Sequence, residues 1–246
     1  MQNRYVGDIG DFGKYGLLQV LCDGSPSLKL GVVWYLYTPK NENPKDGDKT
    51  EYPNLAECDE KLYKKLQGIV DSTRRNIVSI RRERVLPPTT AFYERELNFA
   101  SCPGREVREA HRERWLEAAK KKTEGCNIIF LDPDNGLEVK SVRSYYKKGP
   151  KYVFLEEIEP YIARKQSVVI YQHVSRQGTA TEQVRRRREQ LWKLPGVFDI
   201  FALRYHRGTG RVFFVLASRK HSKILRRKTE KLLGGRWGKH FQLING

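Results

Sequence analysis

The sequence predicts an α/β fold with a Rossmann-like, mainly parallel sheet, helices on both of its faces and a C-terminal antiparallel hairpin. Three observations support this. Residues 30–37 and 126–131 are continuous apolar runs rich in β-branched and aromatic side chains, as in strands buried on both faces. Segments with helical spacing of apolar residues separate and follow them. Residues 198–205 and 211–218 are two further strand-like runs, and the short turn His206-Arg207-Gly208-Thr209-Gly210 between them suits a hairpin that adds an antiparallel edge.

Taken in order, the opening from Gly7 to Gly16 leads into a helix capped by Asp8 or Asp11 and closed near Asp23-Gly24. The first strand stops at Thr38-Pro39, and a polar loop runs to about residue 53. Leu62, Leu66, Ile69 and Val70 set a helix within residues 55–71, while residues 76–80 and 91–97 are expected as short strands. A long charged helix over 105–122 feeds the strand that ends on Asp132. Helices over 156–165 and 181–194 flank a buried strand at 167–171, and a basic helix over 222–233 follows the hairpin. No repeat or low-complexity linker divides the chain, so residues 1–246 are expected to form one domain.

Lys and Arg total 47 against 29 Asp and Glu, and the net charge of +18 favours encounter with a polyanion, RNA or DNA. Hydrophobic residues at 39% are enough for a packed interior, which argues against extended disorder. An anionic membrane is the rival partner, but the sequence has no long apolar span, secretory signal or lipidation motif. Cys22, Cys58, Cys102 and Cys126 are dispersed, without a CxxC pair or zinc-type histidine spacing, and read as reduced thiols of a cytoplasmic protein.

Four groups of residues are candidates for chemistry. Asp132-Pro133-Asp134-Asn135-Gly136 places two carboxylates and an amide just past a buried strand, where ligands sit in such sheets. A carboxylate or amide held there can orient an amino group, or paired carboxylates can bind a divalent cation; the plain alternative is a turn with Gly136 at positive φ. Tyr171-Gln172-His173 offers an aromatic face, an amide and an imidazole fit for acid, base or base-edge contact, or for a purely structural bond to backbone. Gly7, Asp8, Asp11 and Lys14 make a poor phosphate cradle but suit a cationic or hydroxylated ligand, or simply a capped helix start. Arg185 to Arg188 cannot all share one helix face, so at least one should meet the protein or a partner. Arg186 and Arg187, together with Arg227 and Lys228 of the later helix, are expected to form a phosphate-contacting surface.

This order of signals resembles the adenine-N6 methyltransferases, particularly the small ribosomal RNA enzymes. Gly7-Asp8 with Asp11 and Lys14 is similar to their N-terminal segment, and Asp132-Pro133-Asp134-Asn135 to their catalytic Asp-Pro-Pro-Tyr-like strand end. The resemblance implies a class I methyltransferase-like fold, S-adenosylmethionine as cofactor near Gly7 to Lys14, and Asp132 orienting a base amino group. Asp134 and Asn135 stand where the family has proline and an aromatic, and no acidic glycine-rich donor loop follows Thr38-Pro39. Two other readings compete. A metal-dependent nuclease would use Asp134, Glu138 and Lys140, and a catalytically silent nucleic-acid-binding module would use the fold alone.

Overall fold

The computed structural model describes residues 1–24, 28–38, 46–72, 74–175 and 178–244. Its main sheet contains β1 (Leu30–Val33), β2 (Ala91–Tyr93), β3 (Ile128–Leu131), β6 (Ser167–His173), β7 (Asp199–Tyr205), β8 (Arg211–Ala217) and β9 (Phe241–Ile244), in the order β2-β1-β3-β6-β8-β7-β9. The pairs β1/β2, β1/β3 and β3/β6 are parallel, whereas β8 is antiparallel to both β6 and β7, and β9 to β7. Strands β2, β1, β3, β6 and β7 therefore point one way. A separate parallel pair, β4 (Gly136–Leu137) and β5 (Tyr152–Val153), lies beyond the end of β3.

Register explains why apolar runs, rather than alternating ones, mark these strands. Val32, Phe130, Val169, Val215 and Phe201 align across neighbouring strands and enter one core. The next row, Val33, Leu131, Ile170, Phe214 and Ala202, enters the other. Residues of α1 (Ile9–Cys22), α2 (Glu60–Val70), α3 (Ile77–Arg82) and α7 (Ser222–Gly234) pack in the first core. Trp115 of α4 (Arg105–Lys122), Ile158 of α5 (Leu155–Ala163) and Val184 of α6 (Ala180–Leu191) pack in the second. Both faces of the sheet are covered, as a parallel centre requires.

Three expectations are corrected. Residues 76–80 belong to a helix: the Asn76 side chain caps it by accepting from Ser79 N at 3.3 Å, and Ile77 and Ile80 bury one face. The hairpin does not form the edge, because β8 inserts between β6 and β7 with Phe213, Phe214 and Val215 fully buried; β9 supplies the edge. The first strand ends at Val33, since Tyr35 turns to φ +45°, and Leu36 continues only as an isolated bridge to Glu96. The strand stop at Pro39 and part of the following loop lie outside the described residues. No helix among the described residues is long and apolar enough to cross a membrane.

The glycines of α1 serve packing. Gly10, Gly13 and Gly16 recur on one face, and a Cβ at each would stand 1.9, 2.4 and 2.2 Å from atoms of Arg211, Tyr205 and Trp237 respectively. The stripe lets α1 approach β7 and β8 and brings Arg211 against its first turn.

Candidate active site at the carboxyl ends of the central strands

The peptide of Asp132 continues the β1 to β3 ladder by donating to Val33 O at 3.0 Å, which fixes the residue at the strand end. Across from it, Asp8 caps α1 by accepting from Asp11 N at 2.7 Å. The helix then aims Lys14 inward. Its ammonium donates to Asp132 Oδ2 at 2.8 Å and pairs with Asp11 Oδ1 at 2.6 Å, joining residues 118 apart in sequence. Asp11 Oδ2 accepts from Tyr15 Oη at 3.0 Å and from Gly7 N at 3.2 Å. Arg211 bridges to Asp8 at 3.1 Å. The amino group of Met1 donates to Asp132 O at 2.9 Å and Tyr35 O at 3.2 Å and pairs with Asp134 at 2.9 Å, while the Gln2 amide bonds the other Asp134 oxygen.

Burial pushes the Asp132 and Asp11 carboxyls above the usual carboxylate range, against the pull of Lys14. For Lys14 itself burial acts downward, but Asp11 and Asp132 overcome it and hold the ammonium above its ordinary value. Burial would likewise raise Asp134, yet the Met1 amino group and the Gln2 amide bring it below the ordinary value. The Tyr171 phenol is pushed up to about 12 by burial. Desolvation, and then the Arg211 charge, lower His173, which favours its neutral imidazole.

The turn after Asp132 is strapped down. Gly136 has φ +104°, and a Cβ there would stand 2.4 Å from the Gln172 side chain. Gln172 accepts from Leu137 N at 2.9 Å and donates to Asn135 O at 3.1 Å and His173 O at 2.8 Å. Its role is to hold the turn. Two cavities open on either side: one of about 460 Å³ against Asp8, Asp11, Lys14, Asp132 and Asp134, and one of about 1180 Å³ running towards α6. Asn135 and His173 line both.

The structure thus gathers Asp8, Asp11, Lys14, Asp132, Pro133, Asp134, Asn135, Tyr171 and His173 around the smaller cavity. Gly7 shapes the approach, at φ +80° against Val70, without lining it. Gln172, Arg186 and Arg187 line the larger cavity, as do Glu138 and Lys140, so Asp134 and Glu138 face different spaces. Glu138 instead accepts from Leu155 N at 3.2 Å, and no three His, Cys, Asp or Glu among the described residues are grouped to hold a metal.

The basic helices do not form the single surface expected. Val184 and Leu191 anchor α6 on one face of the sheet, and Leu225 and Leu232 anchor α7 on the other. Arg227 lines a pocket with Leu28 and Asn127, just before β1 and β3 at their amino ends, and buried Lys228 donates to Asp23 O just past α1. Arg187 meets the protein, donating to Glu138 O at 2.8 Å, and half-buried Arg188 lies close enough to Asp199 to help lower its carboxyl. Sequence reasoning missed Arg211; its signal was an arginine opening an otherwise apolar strand opposite a glycine-rich helix. No protein-family model matches the chain, and no curated protein matches it at a significant level of similarity.

Proposed function

We propose that this chain is an S-adenosylmethionine-dependent methyltransferase acting on a base amino group of nucleic acid, of the adenine-N6 type, on a class I methyltransferase-like fold. The observation that carries the reading is that Asn135, just beyond the strand that ends in Asp132, and His173, the last residue of β6, line both cavities. In this reading a donor in one cavity and an acceptor in the other come together beside these two residues.

The smaller cavity fits a zwitterionic donor. Arg211 offers a cation for a carboxylate, Asp8, Asp11 and Asp134 offer acceptors for an ammonium or a diol, and Lys14, its three N–H groups committed to Asp11, Asp132 and Met1 Sδ, holds those acceptors in place. Each carboxylate oxygen has two lone pairs, so the existing ion pairs leave accepting capacity. S-adenosylmethionine, when bound, supplies an electrophilic methyl group on a positively charged sulfur.

The chain's own residues then act on the base. Asn135, which lines both cavities, accepts through its side chain from one N–H of the exocyclic amino group and directs the nitrogen's lone pair towards the donor cavity. Asp132, buried and bonded to Lys14, holds the donor side of the site in place rather than reaching the base. As the new N–C bond forms, the nitrogen must lose a proton. His173, which lines both cavities and whose neutral form is favoured, is the proposed acceptor of that proton.

Calorimetric titration with S-adenosylmethionine tests the donor site, and tritium transfer from labelled donor to a mixed-sequence oligonucleotide tests the reaction. Binding that is lost in Lys14→Met, with transfer lost in Asn135→Ala, is the expected result. Oligonucleotide binding without any donor binding would instead identify a silent module.

A further inference from the structure

The larger cavity has a wall that the catalytic reading leaves unused. Between β4 and β5 the chain runs Lys140-Ser141-Val142-Arg143-Ser144-Tyr145-Tyr146-Lys147-Lys148, cations interleaved with aromatics. This loop is held by its own turns: Val142 N donates to Val139 O at 3.0 Å, Tyr146 N to Arg143 O at 3.0 Å and Gly149 N to Tyr146 O at 2.7 Å. Gly149 sits so close beneath it that a Cβ would stand 2.2 Å from Ser144 O. Arg108 of α4 reaches Tyr145 O at 3.4 Å.

The loop backbone is thereby held, with Tyr146 exposed and Tyr145 half-buried. The Arg105 guanidinium lies 4.6 Å over Tyr145, and Tyr146 stands edge-on to that ring at 5.0 Å and 82° with 45% of its surface exposed. Tyr145 and Arg143 line the cavity on this side; Arg186 and Lys193 line it on the side of α6. The carboxylates sharing the cavity are Glu138, Glu156 and Glu189, of which Glu138 is tied to Leu155 N and Glu189 to Arg185. The cations Lys140, Arg143, Arg186, Arg187 and Lys193 outnumber them.

We propose that this face loads a single-stranded polynucleotide, with bases stacking on Tyr145 and Tyr146 and phosphates tracking Arg143, Lys147 and Arg186 into the groove that ends at Asn135 and His173. Cations alone would hold a duplex equally well. The tyrosines decide between the two, because a ring offers nothing to bases already stacked inside a helix but binds an unstacked base of any identity. The end point of the path rests on the methyltransferase reading; the loading surface itself does not.

The test is fluorescence anisotropy with a labelled mixed-sequence oligonucleotide, single-stranded or as a duplex of equal length, in the absence of methyl donor. The single strand should bind about tenfold tighter than the duplex, and Tyr145→Leu with Tyr146→Leu should lose on the order of tenfold for the single strand alone. Phe at both positions should retain the affinity. Arg143→Gln with Lys147→Gln should flatten the salt dependence for both forms. Because Tyr146 is exposed, Tyr146→Ser tests stacking even if the double Leu variant unfolds. Equal or tighter duplex binding, full affinity in the folded Leu or Ser variants, or equal displacement by polyglutamate would each overturn the proposal. Single-strand binding without donor binding would leave it standing and remove only the methyltransferase reading.

Discussion

Two buried ion clusters flank the carboxyl ends of β1 and β3, and they are built differently. Arg112 and Glu157 form a closed pair: Nε to Oε1 at 2.6 Å and Nη2 to Oε2 at 2.9 Å, with Arg112 also donating to Tyr152 O at 2.7 Å. Glu157 accepts further from Tyr35 Oη at 3.1 Å and Phe154 N at 3.0 Å, and neither charged group lines the two site cavities. One charge answers one charge. At the other cluster Lys14 faces both Asp11 and Asp132, and all three line a cavity. A lone pair of charges is enough to hold an element in place; here Asp8, Asp11, Asp132 and Asp134 meet Lys14, Arg211 and the Met1 amino group, one carboxylate more than there are cations. The proposed donor site draws on that excess at a cavity wall, whereas the closed pair holds position away from both cavities.

The largest effect should come from breaking the closed pair. Arg112→Met or Glu157→Leu alone leaves an uncompensated buried charge and should cost about 3–5 kcal/mol in urea denaturation, whereas the double substitution should recover most of that loss. A double variant as unstable as either single one would show that the backbone bonds to Tyr152 and Phe154, not the charges, carry the stability.

Asp132→Asn inverts the pattern. Lys14 keeps Asp11 as a partner, so the change should move unfolding stability by no more than about 1 kcal/mol. On the methyltransferase reading proposed above, transfer should nevertheless fall by about a hundredfold or more, through displacement of the donor-side groups. Undiminished transfer in a variant proven folded would remove Asp132 from the site.

The difference between the clusters also separates what was legible in the sequence from what was not. Asp132 and Lys14 were each visible as candidates, because a strand end and a capped, glycine-rich helix start have local signatures. Their contact was not, since nothing local links residues 118 apart. Arg112 and Glu157 lie inside the helices expected over 105–122 and 156–165, where nothing local singles them out, although both are buried. The misread segment at 76–80 held the needed signal: Ile-Val-Ser-Ile suggests a strand by composition, but Asn76 as a cap and the three-residue spacing of Ile77 and Ile80 favour a helix. The insertion of β8 between β6 and β7 was out of reach, because hairpin residues pair in the same way inside a sheet as at its edge.

A smaller effect tests how the site cluster is supported from the helix. Gly10→Ala places a Cβ 1.9 Å from Arg211 Cζ, so the guanidinium must leave the first turn of α1 and its bridge to Asp8. The expected cost is about 1–3 kcal/mol, as for other overpacked sites, together with weaker donor binding by calorimetry. Gly68→Ala, on α2 with nothing within 4 Å of the new methyl, is the control and should not destabilise the protein.

The smallest expected effect concerns His173, which lines both cavities. Desolvation and the neighbouring Arg211 charge both disfavour the imidazolium, so the ring should titrate below the ordinary histidine range in NMR spectra of imidazole-labelled protein. Arg211→Gln removes the like charge but leaves the burial, so the midpoint should rise only part of the way back. If His173 is the base of the proposed methyl transfer, the sign carries over: a base that must be neutral works at pH above its own midpoint, so wild-type transfer should decline on the acid side, and the Arg211→Gln variant should begin its decline at higher pH. An acid limb that stays in place while the NMR midpoint moves would show that the proton leaves the amino group by some other acceptor.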